Sequence, residues 1–240
     1  MDKNLKIAVA MGGPGSEHEV SMQSGKGVLK ALTDAGCNAV ELIVSDHTIN
    51  VPEGIDVVFN TIHGTFGEDG EMQSQLEQNG IAYTGASSRT SEIAFDKVLS
   101  KEKFIAANVP TPSSEIVDCT DGFKMPSMPL PYVVKPPREG SSVGVHICKT
   151  EEEAESAMRD AVKFSNDVLI EQLIEGHELT VGILDGEVLP IVHIVPRSGS
   201  YDMSNKYAWM SESGETKTDY YCPADLSPEV TKAVQDAALA

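Results

Sequence analysis

The chain has 240 residues, of which 40% are hydrophobic, a little below the usual globular range, and 23% are charged, an ordinary share. A chain of this length can bury a substantial core, so disorder is not expected. Its 18 Lys and Arg against 37 Asp and Glu give a formal net charge of −19. This excess argues against nucleic acid or an anionic membrane surface as a partner, because both are bound through Lys and Arg. A small anionic ligand stays compatible with it, because a few local cations can bind one.

The first third of the chain alternates strand and helix patterns. Residues 5–11 form an apolar run, typical of a buried strand, that ends at Gly12-Gly13-Pro14-Gly15. Ser16 and Glu19 have the spacing of a capping box that opens a helix. Further strands are predicted at 40–44, 55–62 and 81–83, with a helix at 71–78. This alternation predicts a parallel sheet that binds ligands at the carboxyl ends of its strands.

The middle of the chain has a different pattern. One helix is predicted over residues 90–107, followed by a stiff connector at 109–112 that contains two prolines. Strands are predicted at 132–134, 145–148 and 168–171, with a helix that Thr150 and Glu153 cap and that reaches residue 164. A hairpin with arms at 179–184 and 188–195 turns at residues 185–186. This pattern predicts an antiparallel α+β fold.

The polar segment 197–218 has no periodicity, so it is either a lid over a site or a linker. It contains several aromatic residues, which a linker does not need, so we favour a lid. The last predicted helix begins at Ser227 and Pro228 and reaches Ala240 without a stop signal. We therefore expect that the sequence is truncated within this helix.

Two loops are candidates for ligand binding. Lys135 ends a strand, and the Gly/Ser loop 138–144 after it suits a phosphate chain, although an ordinary hairpin loop is the alternative. The loop 12–15 resembles a dinucleotide fingerprint only weakly, because His18 replaces the third glycine. Glu17, in the first turn of the helix, either accepts a cationic ligand such as an ammonium or simply caps the helix.

Other polar side chains allow a functional and a structural interpretation. His63 follows a buried strand, where it contacts a substrate or serves the structure. Lys97, Lys101 and Lys103 lie on one helical stretch, and a solvated helix face is their default interpretation. Glu171 ends a strand, and Glu178 follows it closely, so both could accept hydrogen bonds from a nucleotide base or ribose. No His/Cys cluster has the spacing of a zinc site.

The sequence favours the cytoplasm as the compartment. The apolar run at residues 7–11 is shorter than the hydrophobic region of a signal peptide, and no stretch reaches the length of a membrane span. The four cysteines are widely spaced without a Cys-x-x-Cys pair, which indicates reduced thiols.

Seven short segments, taken together and in order, resemble a known protein family, although each segment alone is not specific. They are Gly12-Gly13 with 16–21, His63-Gly64 with 67–70, 83–85, Asp96-Lys97, Lys135-Pro136 with 138–144, 178–181, and Lys206-Tyr207 with 221–224. This set resembles the D-alanine–D-alanine ligase family of ATP-grasp enzymes over almost the whole chain. The resemblance implies an α/β protein, in which an N-terminal Rossmann-like parallel sheet precedes an ATP-grasp α+β fold that is incomplete at the C-terminus.

The resemblance also implies an activity. ATP would phosphorylate the carboxylate of one D-alanine, and the amine of a second would displace the phosphate, giving D-alanyl-D-alanine for peptidoglycan precursors. Glu17 would bind the ammonium of the first D-alanine and be linked to Ser141 and Tyr207, with His63 near the same substrate. The residues implied for ATP are Lys97, Lys135, Gly140, Ser142, Glu171, Glu178 and Lys206. Pro137 departs from the family pattern by removing an N–H just before the loop.

Three domains are predicted on this basis: an N-terminal substrate domain at 1–96, a small ATP-grasp subdomain at 97–177, and an incomplete C-terminal subdomain at 178–240 with the lid. Ligands for two Mg²⁺ ions and an oxyanion-binding Arg are expected beyond residue 240, so we expect this chain alone to be inactive. A cytoplasmic homodimer is implied. The alternatives are a D-alanyl-D-lactate ligase, another ATP-grasp carboxylate–amine ligase, and a non-catalytic nucleotide-binding module.

Overall fold

The computed structural model describes residues 5–197 and 217–240. The chain divides into two compact units. The first consists of residues 1–100 and 138–140, and the second of residues 101–137 and 141–240. The predicted domain borders at 96/97 and 177/178 stay predictions. In the part of the chain that the structure describes, no helix combines the length and the apolar character needed to cross a bilayer.

The first unit contains a four-stranded parallel sheet in the order β2-β1-β3-β4. Its strands are β1 (Lys6–Gly12), β2 (Asn38–Val44), β3 (Val57–Asn60) and β4 (Ala82–Tyr83). Its helices are α1 (His18–Asp34), α2 (Glu71–Gln78), α3 (Ser88–Phe95) and the start of α4 (Lys97–Ala106). Strand β1 lies inside the sheet and is almost wholly buried, as its continuous apolar run predicts.

The prediction of a single helix over residues 90–107 is wrong, because the helix is interrupted at Asp96, between α3 and α4. Asp96 has an extended backbone (ψ 108°) and is buried. Its Oδ1 accepts hydrogen bonds from the amides of Val98 and Leu99 at 2.9 and 3.3 Å. A short acidic side chain that satisfies the first amides of a helix favours a new start at that point.

The second unit contains two larger antiparallel sheets, as the α+β prediction requires. The four-stranded sheet has the order β5-β8-β6-β7, and the three-stranded sheet has the order β13-β12-β9. The strands are β5 (Ser114–Asp118), β6 (Tyr132–Lys135), β7 (His146–Cys148), β8 (Asp167–Gln172), β9 (Glu178–Thr180), β10 (Ile183–Leu184), β11 (Glu187–Val188), β12 (Val192–Pro196) and β13 (Thr218–Tyr221). Strands β5 and β13 do not follow from the sequence pattern described above.

Among its described residues, the second unit also contains the helices α5 (Glu151–Ala161) and α6 (Pro228–Leu239). Helix α5 begins with the predicted capping box of Thr150 and Glu153, and its buried face packs on the four-stranded sheet. The predicted hairpin turn is confirmed, because β10 pairs with β11 around Asp185 and Gly186, both at positive φ. The ends of the predicted lid are held by the antiparallel pair β12–β13.

Candidate active site

Two loops meet at the carboxyl edge of the parallel sheet, where the topology predicts a ligand site. One follows β1 and leads into α1, and the other follows β3. Ser21 joins them, since its hydroxyl accepts from the Gly12 amide and donates to the Thr61 carbonyl, both at 2.8 Å. This buried link fixes the start of α1 against the second loop.

Glu17 lies at this edge and is only 4% exposed. It is the N-cap residue of α1, but its side chain makes no capping hydrogen bond. The alternative role as a plain capping carboxylate is therefore wrong, and so is the predicted capping box of Ser16 and Glu19. Glu17 is therefore a buried carboxylate that does not cap its own helix.

Two glycines allow the backbone to approach the Glu17 carboxylate closely. A Cβ added to Gly64 would lie 2.5 Å from Glu17 Oε2, and one added to Gly140 would lie 2.8 Å from it. Gly64 also has a φ of +68°, which L side chains rarely adopt. Glu17 Oε2 thus lies against the backbone of both glycines.

His63 follows β3 in the second loop and is held from both ring nitrogens. Its Nε2 lies 3.0 Å from Ser24 Oγ on α1, and its Nδ1 lies 3.6 Å from Glu68 Oε1. The interaction with Glu68 raises the pKa of His63 above 6.5, against the opposing effect of partial burial, and the charge of Glu17 adds to the increase. The imidazole is thus biased towards its cationic form beside the first loop.

Lys97 and Asp96 hold the beginning of the Gly/Ser loop. Lys97 Nζ donates to the Glu139 carbonyl at 2.6 Å, and Arg138 Nε donates to Asp96 Oδ2 at 2.7 Å. Both bonds lie within the first unit, which explains why residues 138–140 cluster with it. The ammonium of Lys97 therefore lies at the loop for which the sequence predicts phosphate binding.

Lys135 and Glu171 are neighbours in the four-stranded sheet. Val133 pairs with Glu171 in register, so Lys135 lies diagonally opposite on the same face, and its ammonium forms an ion pair with Glu171 Oε2. The second oxygen, Oε1, accepts from Lys101 Nζ at 2.7 Å. The structure thus brings two of the predicted nucleotide residues together.

Lys101 is buried, with only 7% of its surface exposed, so its interpretation as part of a solvated face is wrong. Nothing in the sequence marks this residue, because its partners lie 10, 11 and 70 positions away. Ser24 is similar, since its contact with His63 spans 39 positions. Lys103, on the same helix, is exposed as expected.

Not all predicted site residues can be placed with these clusters. Glu178 lies on β9, in a different sheet from Glu171. Ser141 and Ser142 occupy the Gly/Ser loop with positive φ values of 49° and 62°. Lys206 and Tyr207, like most of the predicted lid, lie outside the described residues.

The expectation that Mg²⁺ ligands lie beyond residue 240 stays a prediction. In residues 5–197 and 217–240, no group of three or more His, Cys, Asp or Glu side chains could hold a metal ion. The residues described here thus do not form a metal site.

Comparison with known proteins agrees with this architecture. The family model described as "D-ala D-ala ligase C-terminus" matches residues 118–240, and "D-ala D-ala ligase N-terminus" matches residues 36–86. A D-alanine–D-alanine ligase from Methylacidiphilum infernorum is 42% identical over 97% of this chain and 74% of its own length. One from Pseudoalteromonas translucida is 40% identical over 98% of this chain and 76% of its own length.

Solved structures give the same result. The crystal structure of D-alanine–D-alanine ligase from Bacillus anthracis complexed with ATP is 27% identical, with a TM-score of 0.80 over 98% of this chain and 76% of that one. Together, the fold and the matched families define a ligase with the ATP-grasp fold. The chain belongs to the D-alanine–D-alanine ligase family.

Proposed function

We propose that this protein joins two D-alanines to D-alanyl-D-alanine at the expense of ATP, as a step in making peptidoglycan precursors. Family membership supports the reaction. The single structural observation that carries it is Glu17, a buried carboxylate that does not cap its own helix. A pure nucleotide-binding module would have no use for such an amino-acid site.

The chemistry explains why such a site is needed. A carboxylate is a poor electrophile, and transfer of a phosphoryl group from ATP turns it into an acyl phosphate. The amine of the second D-alanine then attacks the acyl carbon, the new C–N bond forms, and phosphate leaves with the C–O electron pair. Water must be kept out, because it would hydrolyse the intermediate. The protein mainly positions the groups and stabilises charge.

In the first unit, we propose that Glu17 binds the ammonium of the first D-alanine. The backbone of Gly64 and Gly140 lies directly against the Glu17 carboxylate and limits where that group can move. His63 is proposed to lie near the same substrate, where its tendency to be cationic suits a carboxylate. Lys97, at the Gly/Ser loop, is proposed to contact ATP phosphates once it exchanges its bond to the Glu139 carbonyl.

In the second unit, we propose that Lys135 contacts the ATP phosphates and that Glu171 and Glu178 hold the adenosine. The proximity of Lys135 and Glu171 supports this assignment, because it places a cation beside an acceptor for base amino groups. Gly140 and Ser142, with the neighbouring loop amides, would cover the phosphates.

The remaining roles rest on the resemblance alone. They are the catalytic link of Ser141 and Tyr207 to Glu17, the contact of Lys206 with the γ-phosphate, and closure of a lid at 197–218. Two Mg²⁺ ions are proposed as cofactors, and bound metal would neutralise phosphate charge. Tyr207 favours D-alanine over D-lactate as the second substrate.

We also propose that the protein is a homodimer that works in the cytoplasm. The family resemblance supports the dimer, and light scattering coupled to size-exclusion chromatography measures it directly. Four cysteines without a disulfide, and a reaction that consumes ATP, support the compartment.

The test of the function compares Glu17→Gln with Glu19→Gln. Both remove one carboxylate charge near the start of α1, but Glu17 is buried at the proposed site and Glu19 is exposed. Calorimetric titration would measure D-alanine affinity, and a coupled assay would measure ADP release by a full-length version that includes the expected C-terminal segment. Loss of a hydrogen bond to a charged group predicts an affinity reduced about tenfold or more for Glu17→Gln and unchanged for Glu19→Gln.

The substrates in the same assay separate the alternatives. ADP release that requires D-alanine and gives D-alanyl-D-alanine supports the proposal, whereas D-alanyl-D-lactate formation indicates the depsipeptide enzyme. Equal D-alanine binding by both variants and the wild-type protein would refute the role of Glu17. ATP binding without any effect of D-alanine would favour the nucleotide-binding module.

A further inference from the structure

Lys101 is a buried cation beside the proposed nucleotide residue Glu171, and all the N–H donors of its ammonium are used. Its side chain is 8% exposed. The ammonium donates to Thr111 Oγ1 at 2.8 Å, to the Pro112 carbonyl at 2.7 Å and to Glu171 Oε1 at 2.7 Å. A lysine ammonium has three N–H donors, and each of them has an acceptor here. Lys101 therefore has no donor left for a substrate and can act only through a neighbour.

The neighbour it can act through is Glu171. The carboxylate lies on β8, and each of its oxygens receives a different lysine, Lys101 on Oε1 and Lys135 on Oε2. Burial by itself raises the pKa of Glu171, but the hydrogen bonds from these two lysines outweigh burial and lower the pKa below its usual value. Glu171 is thus an ionised acceptor in a fixed orientation.

The other two partners of Lys101 explain why it is a rigid anchor. Thr111 and Pro112 belong to the connector after α4, in which Pro110 and Pro112 restrict the backbone. The ammonium is consequently held by a stiff segment on one side and by the carboxylate on the other. The side chain of Lys135 is more exposed than that of Lys101, at 20%.

We propose that Lys101 is a positioning residue that holds Glu171 for the nucleotide base and so sets a preference for adenine over guanine. The proposal rests on the proposed function, in which Glu171 binds adenosine. An ionised carboxylate in a fixed place attracts the amino group of adenine and repels the carbonyl oxygen that guanine carries at the same ring position. Selectivity of this kind requires that the carboxylate cannot swing away.

The test measures the affinities of ATP and GTP for wild-type protein and for Lys101→Met. The two nucleotides have the same triphosphate, so contacts to the phosphates cancel in the ratio of their dissociation constants. We expect the ATP affinity of Lys101→Met to fall about tenfold or more, the cost of disturbing a hydrogen bond to a charged group. The ratio of ATP affinity to GTP affinity should fall by a similar factor.

The matched control is Lys103→Met, which removes the same charge from the exposed side of the same helix. It should change neither affinity. Thr111→Val keeps the shape of Thr111 and leaves Glu171 untouched, so it tests the anchor if Lys101→Met does not fold. We expect Thr111→Val to lower the ratio by about two- to fivefold, because one neutral hydrogen bond is lost.

Different results would overturn the positioning role of Lys101 and the proposed ligase function. The positioning role would be overturned if folded Lys101→Met kept the wild-type ratio of ATP affinity to GTP affinity. If Lys101→Met does not fold, the same result with Thr111→Val would overturn it. Melting temperature alone does not decide, since a purely structural lysine would lower stability without moving that ratio. A wild-type protein that binds neither nucleotide would overturn the proposed function itself.

Discussion

Helix α1 contains two glycines, Gly25 and Gly27, whose replacement by alanine should change stability in opposite directions. Alanine is favoured over glycine by about 1 kcal/mol in a helix interior, so propensity alone predicts stabilisation at both positions. Gly27 is exposed, and a Cβ added there has nothing within 4 Å. We therefore expect Gly27→Ala to gain most of that energy.

Gly25 faces the sheet instead. A Cβ added there would lie 2.9 Å from both Cε and Sδ of Met11 and closer still to its Cβ, and Met11 is fully buried in β1. Overpacking of this kind costs about 1–3 kcal/mol. After the propensity gain of about 1 kcal/mol is subtracted, Gly25→Ala should be destabilised by up to about 2 kcal/mol.

Urea denaturation followed by far-ultraviolet circular dichroism measures both variants against the wild-type protein. Since about 1 kcal/mol corresponds to about 2–4 °C for a chain of this size, thermal melts should separate the two variants clearly. A Gly25→Ala protein that is as stable as Gly27→Ala would refute the packing of α1 on β1. Loss of stability in Gly27→Ala would refute its exposed environment.

Two further predictions concern residues near the candidate site. Asp96→Ala should destabilise the protein by about 1 kcal/mol, because the cap of α4 is lost. Asp96→Asn keeps a hydrogen-bond acceptor and should cost less. Equal losses of the free energy of unfolding in urea would show that the ion pair with Arg138 dominates instead. Glu68→Gln should lower the pKa of His63, measured by NMR titration of the imidazole. The raised pKa of His63 stabilises the fold below pH 6.5, and this stabilisation is lost as pH rises through the raised pKa. Glu68→Gln should therefore reduce the free energy of unfolding below pH 6.5. An unchanged pKa of His63 in this variant would exclude Glu68 as the cause of the shift.

The candidate site shows how far local patterns lead. Glu17 and His63 follow strands in sequence, so the rule that ligands bind at the carboxyl ends of parallel strands makes both candidate site residues. The sequence could not decide whether Glu17 caps its helix, because capping depends on a side-chain rotamer that packing selects. The glycines at 64 and 140 show the same limit, since their closeness to Glu17 joins segments that are distant in the chain.

The boundaries of elements were less predictable than their existence. Strand β1 and the capped helix α5 follow from local hydrophobic and capping patterns, and the structure confirms both. The break at Asp96 could not be read from the apolar pattern, because it depends on a buried carboxylate that binds the amides of the next helix and Arg138. Strand β5 was missed because its partner, β8, lies far along the chain.

The sequence by itself determined the order of the two fold types, the loops after the buried strands, and the acidic charge that argues against polyanionic partners. These features depend on residue type and short-range spacing. Only the tertiary structure decided that Lys101 is buried and bound to Glu171, while Lys103 is exposed. The physical reason is that the energy of a buried charge depends on the acceptors around it, which the fold brings together from distant parts of the chain.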